Sequence, residues 1–148
     1  LTGWLLDTNI VSLLGPTLRA DPEAAIVAWL DRNTADLYLP VISVAELTAG
    51  IAKLRRLGST RRAAALAEWL DALAVAFHRQ ILPLDIAAAA AAGRLTDRAS
   101  AIGRTPGFAD LAIAGIAEAR GLTILTRNLR HFAPLGVPAR DPYDSLPG

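Results

Sequence analysis

The chain has no cysteine and no methionine, only two histidines, and few aromatic residues, 5% of the total. Without cysteine there is no disulfide framework, no thiolate zinc site and no thiol nucleophile. His78 and His131 are too few to build an imidazole cluster for zinc. So low an aromatic content gives no base-stacking sheet of the kind RNA-recognition modules carry. Long hydrophobic runs are missing as well. Stretches such as Ile86 to Gly93 fall far short of the roughly 18 residues a membrane span needs, so no membrane association is expected. No basic segment leads into an apolar one at the start, so a secretory leader is not expected and the expected location is cytoplasmic. Neither sign of charge dominates, with 15 Lys+Arg against 14 Asp+Glu and a net charge of +1.

Apolar content is high. Hydrophobic residues are 53% of the chain and the mean hydropathy is +0.35, which excludes a disordered chain. At 148 residues the sequence is expected to form a single domain over 1–148 that buries about two-thirds of its unfolded surface. Of the 15 cations 14 are Arg, and of the 14 acids 10 are Asp. Arg forks onto phosphate better than Lys, which is compatible with a nucleic-acid partner. Genome composition produces the same bias.

Short apolar runs alternate with helical patterns. Trp4-Leu5-Leu6 reads as a buried strand that ends at Asp7. Asp21-Pro22-Glu23 reads as a helix start, with Asp21 as N-cap and Pro22 at the first helical position. Leu37 to Pro40 is a second strand, and Ser43 to Glu46 opens the next helix, which Gly58-Ser59 breaks. Thr60 to His78 carries Leu66, Trp69, Leu70, Leu73 and Phe77 at helical spacing. Asp85 caps an Ala-rich helix, Phe108 to Arg120 is an almost wholly apolar helix ended by Gly121, and Thr123 to Thr126 is the clearest strand. Val137-Pro138 is the candidate for a last edge strand. Strands separated by helices imply a parallel sheet with right-handed crossovers, hence a helix-rich three-layer α/β/α sandwich.

In such sheets ligands bind outside the carboxyl ends of the strands. Asp7 follows the first strand, Glu46 is placed in the first turn of the helix after the second, Asp110 lies near the start of the apolar helix, and Asn128 follows the strong strand. Each also has a purely structural reading. Asp7 suits an N-cap, Glu46 completes a capping box with Ser43, Asn128 suits a turn, and Asp110 can cap from within a first turn. Taken jointly, converging carboxylates repel one another and raise each other's proton affinity. A hard divalent cation, Mg²⁺ or Mn²⁺, resolves this with oxygen ligands and no His or Cys. The chemistry such a site implies is phosphodiester hydrolysis.

Leu5-Leu6-Asp7-Thr8-Asn9, Ser43-Val44-Ala45-Glu46-Leu47, Phe108-Ala109-Asp110 with Leu111 to Ala114, and Leu125-Thr126-Arg127-Asn128 together resemble the PIN-domain family. Within it they are similar to the VapC-type ribonuclease toxins of toxin–antitoxin pairs. The resemblance implies a PIN-like fold and a metal-dependent endoribonuclease. It implies Asp7, Glu46 and Asp110 as metal-binding and catalytic acids, and Asn128, where many members carry a fourth acid, as a fourth member of the catalytic and metal set, an uncharged oxygen ligand that would hold a second metal more weakly. Asn9 and Thr126 match polar positions that support the acids by hydrogen bonding. His131 falls near a place where many relatives have another acid, and reads as a surface residue on a short helix. An RNA substrate, an antitoxin partner and a homodimer are implied by the resemblance as well. A catalytically silent RNA- or protein-binding module is an alternative, motivated by the missing fourth acid. A Mg²⁺-dependent small-molecule phosphohydrolase is another, weakened by Asn9 where a second Asp would be needed.

Lys53, Arg55, Arg56, Arg61 and Arg62 form an acid-free basic run. It reads as a solvated helix end, with an RNA-contacting rim as the functional alternative. Arg94, Arg98, Arg104 and Arg127 are further candidates for such a rim.

Overall fold

The computed structural model describes residues 1–148. Its five strands are β1 (Trp4–Leu6), β2 (Leu37–Pro40), β3 (Ile81–Leu82), β4 (Thr123–Leu125) and β5 (Ala139–Arg140). They form one parallel sheet in the order β3-β2-β1-β4-β5. Seven α-helices connect them: α1 (Thr8–Val11), α2 (Glu23–Arg32), α3 (Val41–Arg56), α4 (Thr60–Ala76), α5 (Ile86–Ala101), α6 (Phe108–Arg120) and α7 (Leu129–Phe132). The strand order runs outward from β1 to β3 on one side and from β4 to β5 on the other. The reversal lies between β1 and β4, and a crevice opens there at the carboxyl edge.

Side-chain alternation in the strands builds the three layers. Leu5 and Ile124 enter one core with Leu95, Ile113, Ile116 and Phe132, while Leu6 and Leu125 enter the other with Ile10, Leu30, Leu37 and Leu39. Of the helical residues read from their spacing, Leu70, Leu73 and Phe77 are buried and Leu66 and Trp69 pack partly against the second core. α5 and α6 pack closely because Gly115 has no side chain. A Cβ there would lie 2.5 Å from the Ala88 carbonyl oxygen. α6 ends at Gly121, whose φ of +67° is the left-handed conformation glycine adopts freely.

Three local expectations are corrected. Asp21 does not cap α2. Pro22 occupies the N-cap position and no side chain supplies a capping bond. The Ser43–Glu46 capping box does not form, because the chain turns into α3 at Val41, directly after Pro40. Ser43 is then buried inside the first turn, and Glu46 stands in the second. The last strand is Ala139–Arg140, two residues later than expected. Pro138 has no N–H to donate, and its carbonyl accepts from Ile124 instead.

Candidate active site at the carboxyl edge of the sheet

Asp7 is the first residue beyond β1 and sits at the strand-order reversal, where its N–H donates to the Leu125 carbonyl at 2.9 Å. The residue is only 7% exposed. Oδ1 accepts the Thr8 N–H at 2.8 Å, which makes Asp7 the N-cap of α1. Oδ2 accepts the Thr126 hydroxyl at 2.8 Å. The Thr126 oxygen in turn accepts the Asn128 N–H at 2.9 Å, so the hydroxyl proton is committed to Asp7. The strand that neighbours β1 therefore orients the carboxylate from across the crevice.

Glu46 is exposed, and its carboxylate is drawn toward Asp7 by α1. Thr8 Oγ1 donates to Glu46 Oε1 at 2.6 Å. The same Thr8 oxygen lies 2.8 Å from Ser43 Oγ. Having spent its single proton on Glu46, Thr8 accepts from Ser43. Asp110 lies in the first turn of α6 and is half-buried, with its Oδ2 at 3.1 Å from His131 Nδ1 on α7. His131 is thus exposed, as expected, but is also the direct partner of Asp110. Asn128 precedes α7, and its side chain makes no cap bond. Asn9 does not reach an acid. Its Oδ1 accepts the Arg127 N–H at 3.4 Å, tying α1 to the segment after β4.

Asp7, Asn9, Glu46, Asp110, Asn128 and His131 line one open cavity of about 340 Å³, with Thr8 between the first two. Burial raises the proton affinity of Asp7 above its ordinary value of 3.8. The hydrogen bonds from Thr126 and Thr8 oppose this, and the nearby charges of Asp110 and Glu46 add to it. The donor chemistry of the cavity is that of a hard-cation site: three carboxylates and an amide oxygen, one carboxylate buried, and no sulfur. As the side chains stand, no three of the acids and histidines are gathered tightly enough to ligate one ion. Like charges keep apart when each has a neutral or basic neighbour to bond, and here Thr8 holds Glu46 while His131 holds Asp110. The donor types are those of a divalent-cation site, and Glu46 and Asp110 would have to turn from Thr8 and His131 to share one ion with Asp7.

Sequence reasoning missed three links of this network: Thr8 to Glu46, Ser43 to Thr8, and His131 to Asp110. Thr8 sits inside the Asp7-Thr8-Asn9 stretch that drew attention, but nothing in a lone Thr marks it as the link to Glu46. The basic run at 53–62 lies away from the cavity. Glu46 is near the start of α3, and Arg55 and Arg56 are in its last turn, roughly 14 Å further along the helix axis.

The PIN domain model matches residues 4–135. The plasmid stability protein StbB of Pseudomonas syringae pv. tomato is 36% identical over 143 residues, covering 95% of this chain and 99% of that protein. The toxin FitB of Neisseria gonorrhoeae is 35% identical over 141 residues, covering 94% of this chain and 97% of its own length. The crystal structure of FitAcB from Neisseria gonorrhoeae superposes with a TM-score of 0.81 at 34% identity, covering 95% of this chain and 98% of that one. The matched region runs from β1 through the segment after α7 and includes every residue of the acid cavity, and the chain belongs to the PIN-domain family.

Proposed function

We propose that the chain is a Mg²⁺- or Mn²⁺-dependent endoribonuclease acting as the toxin of a toxin–antitoxin pair. The observation that carries the reading is the convergence of Asp7, Glu46, Asp110 and Asn128 on one cavity at the strand-order reversal. The relative named as a toxin and the relative named as a plasmid stability protein support it from outside the site. An RNA substrate, an antitoxin partner and a homodimer belong to the same reading.

Asp7, Glu46 and Asp110 would hold the cation, with the Asn128 amide oxygen as a weaker, uncharged fourth donor. The cation supplies Lewis-acid polarisation of a phosphodiester. The chain's own residues do the positioning. Thr126 fixes the Asp7 carboxylate from just beyond β4, while Glu46 and Asp110 are bonded to Thr8 and His131 and would have to turn from these partners to share one ion with Asp7. These anchors come from separate elements. The acid geometry therefore depends on the packing of the whole carboxyl edge and not on any one loop.

The test is cleavage of structured RNA by the purified chain with Mg²⁺ or Mn²⁺, beside Asp7→Asn and Asp110→Asn. Both variants should lose nearly all cleavage while keeping the far-ultraviolet circular dichroism of the parent. Wild-type rates in both would overturn the site. Expression in a bacterial host should arrest growth with the parent chain and not with Asp7→Asn. A non-catalytic RNA-binding module is favoured by one feature, the uncharged Asn128. Titration calorimetry separates the two: no Mn²⁺ binding in the millimolar range, with RNA binding retained, supports the module.

A further inference from the structure

Beside the acid cavity lies a second, larger one of about 410 Å³, lined in part by Arg104, Thr105, Asp110, Arg130 and His131, with no hydrophobic residue in its wall. The two cavities share Gly107, Asp110 and His131 as a common wall. Their charges are opposite. The acid cavity holds three carboxylates and no Arg, whereas the second holds Arg104 and Arg130, and its one acid is already paired with His131. Neither Arg forms an ion pair or a side-chain hydrogen bond with the rest of the protein, unlike Arg19, Arg98 and Arg120. Arg104 rises from the loop after α5, anchored by its own N–H to the Ala99 carbonyl at 2.8 Å. Arg130 projects from α7.

We propose that this second cavity is a phosphate subsite. In it Arg104 and Arg130 grip the backbone of a single-stranded RNA next to the phosphodiester seated in the acid cavity. The inference rests on the ribonuclease reading and adds the path of the strand. A cavity with two unpartnered guanidinium groups suits a multiply oxygenated anion. A neighbouring cavity toward the carboxyl-terminal segment is less suited. Arg130 lines it too, but with Arg127 stacked on Tyr143 and with Asp141 and Asp144 in the same wall, where two carboxylates would repel a phosphate. The strand therefore leaves toward the α5–α6 loop and not toward the carboxyl-terminal segment. Asp110 and His131 stand at the junction, so the wall that bounds the acid site on one side bounds the anion site on the other.

The experiment measures fluorescence anisotropy of a labelled mixed-sequence oligoribonucleotide, without metal, on the nuclease-dead Asp7→Asn chain between 50 and 300 mM salt. Adding Arg104→Ala or Arg130→Ala should weaken binding several-fold. Each guanidinium removed from a phosphate should flatten the log–log salt dependence by about 0.7. Arg55→Ala with Arg56→Ala, at the far end of α3, should leave both readouts unchanged. If the double Arg104→Ala, Arg130→Ala variant binds with the parent's affinity and salt slope, the subsite is wrong. It is equally wrong if the Asp7→Asn chain shows no RNA binding at low salt, or if the Arg pair governs binding of a poly-glutamate peptide but not of RNA. Cleavage by the otherwise unaltered chain separates the two levels. Asp7-dependent cleavage untouched by the Arg substitutions sinks the subsite alone. Cleavage that does not depend on Asp7 sinks the ribonuclease reading beneath it.

Discussion

Two aspartates of this chain do the same local job with opposite electrostatic outcomes. Asp7 caps α1 by accepting the Thr8 N–H, and Asp85 caps α5 by accepting the Ala88 N–H at 2.9 Å. At Asp85 the capping bond, and beyond it the Arg120 guanidinium at 2.7 Å, hold the carboxyl below its ordinary 3.8. At Asp7 burial outweighs the capping bond and raises the carboxyl above the same value, with Asp110 and Glu46 adding to the rise. A helix cap with a cation beside it is a stabilising device. A buried cap with two more acids beside it opposes stability in the absence of a cation, and a fold retains such an arrangement where it serves function.

The largest difference between the two aspartates is expected in activity. Asp7→Asn should reduce RNA cleavage to background, whereas Asp85→Asn should leave it within about twofold of the parent. The supporting partners should divide in the same way. Thr126→Val removes the hydroxyl that orients Asp7 and should lower cleavage by roughly 10- to 100-fold, the usual effect of losing a ligand's hydrogen-bond partner. Arg120→Gln, which removes the partner of Asp85, should not change the rate measurably. Steady-state assays on the four variants settle both contrasts. Equal losses at the two aspartates would erase the distinction.

Stability against pH sharpens it further, because the two shifts have opposite signs. Asp7 binds its proton more tightly in the folded state than in the unfolded one. Its ionisation therefore lowers stability as pH rises from 3.8 through its raised folded value. Asp7→Asn removes that penalty, so thermal melts without metal should show the variant gaining on the parent as pH rises from 3.8. Asp85 holds its proton less tightly when folded. Its contribution is present above 3.8 and fades as pH falls through its lowered folded value. Asp85→Asn should accordingly melt below the parent at neutral pH, and the gap should close in acid. A melting difference of the same sign at both positions would contradict the electrostatic contrast.

The smallest effect is expected at Asn128. Asn128→Asp adds a charged oxygen donor to the acid cavity and should raise cleavage at low Mg²⁺ or leave it unchanged. A large loss, read in the same assay across a metal titration, would mean that the site needs the neutral amide.

Much of the fold was legible because it rests on local chemistry. Leu5 and Leu6 announce a buried strand, Gly121 announces the end of α6, and Asp85 announces a cap, each within a few residues of the feature it controls. The failures came where two local signals competed. At Asp21-Pro22-Glu23 the acid and the proline both suit a helix start, and Pro22 took the cap position while Glu23 turned to Arg19 at 2.7 Å. At Ser43 the capping-box pattern was present, but Pro40 ended β2 directly against α3 and left Ser43 inside the helix. His131 was legible as a surface residue and not as the partner of Asp110, because α7 and α6 are separate in the chain and touch only in the folded molecule.

Local sequence suffices for the alternation of strand and helix, the position of each acid just beyond a strand or early in a helix, and the absence of any soft metal ligand. Strand order and register decided everything that connects those acids. Placing β4 beside β1 brings Thr126 to Asp7 across 119 residues of chain, and the turn into α3 at Val41 brings Glu46 to Thr8 across 38. Hydrogen bonds of that span have no local signature. Propensity and periodicity act over one or two turns of chain, whereas a site at a strand-order reversal exists only once non-neighbouring strands have paired.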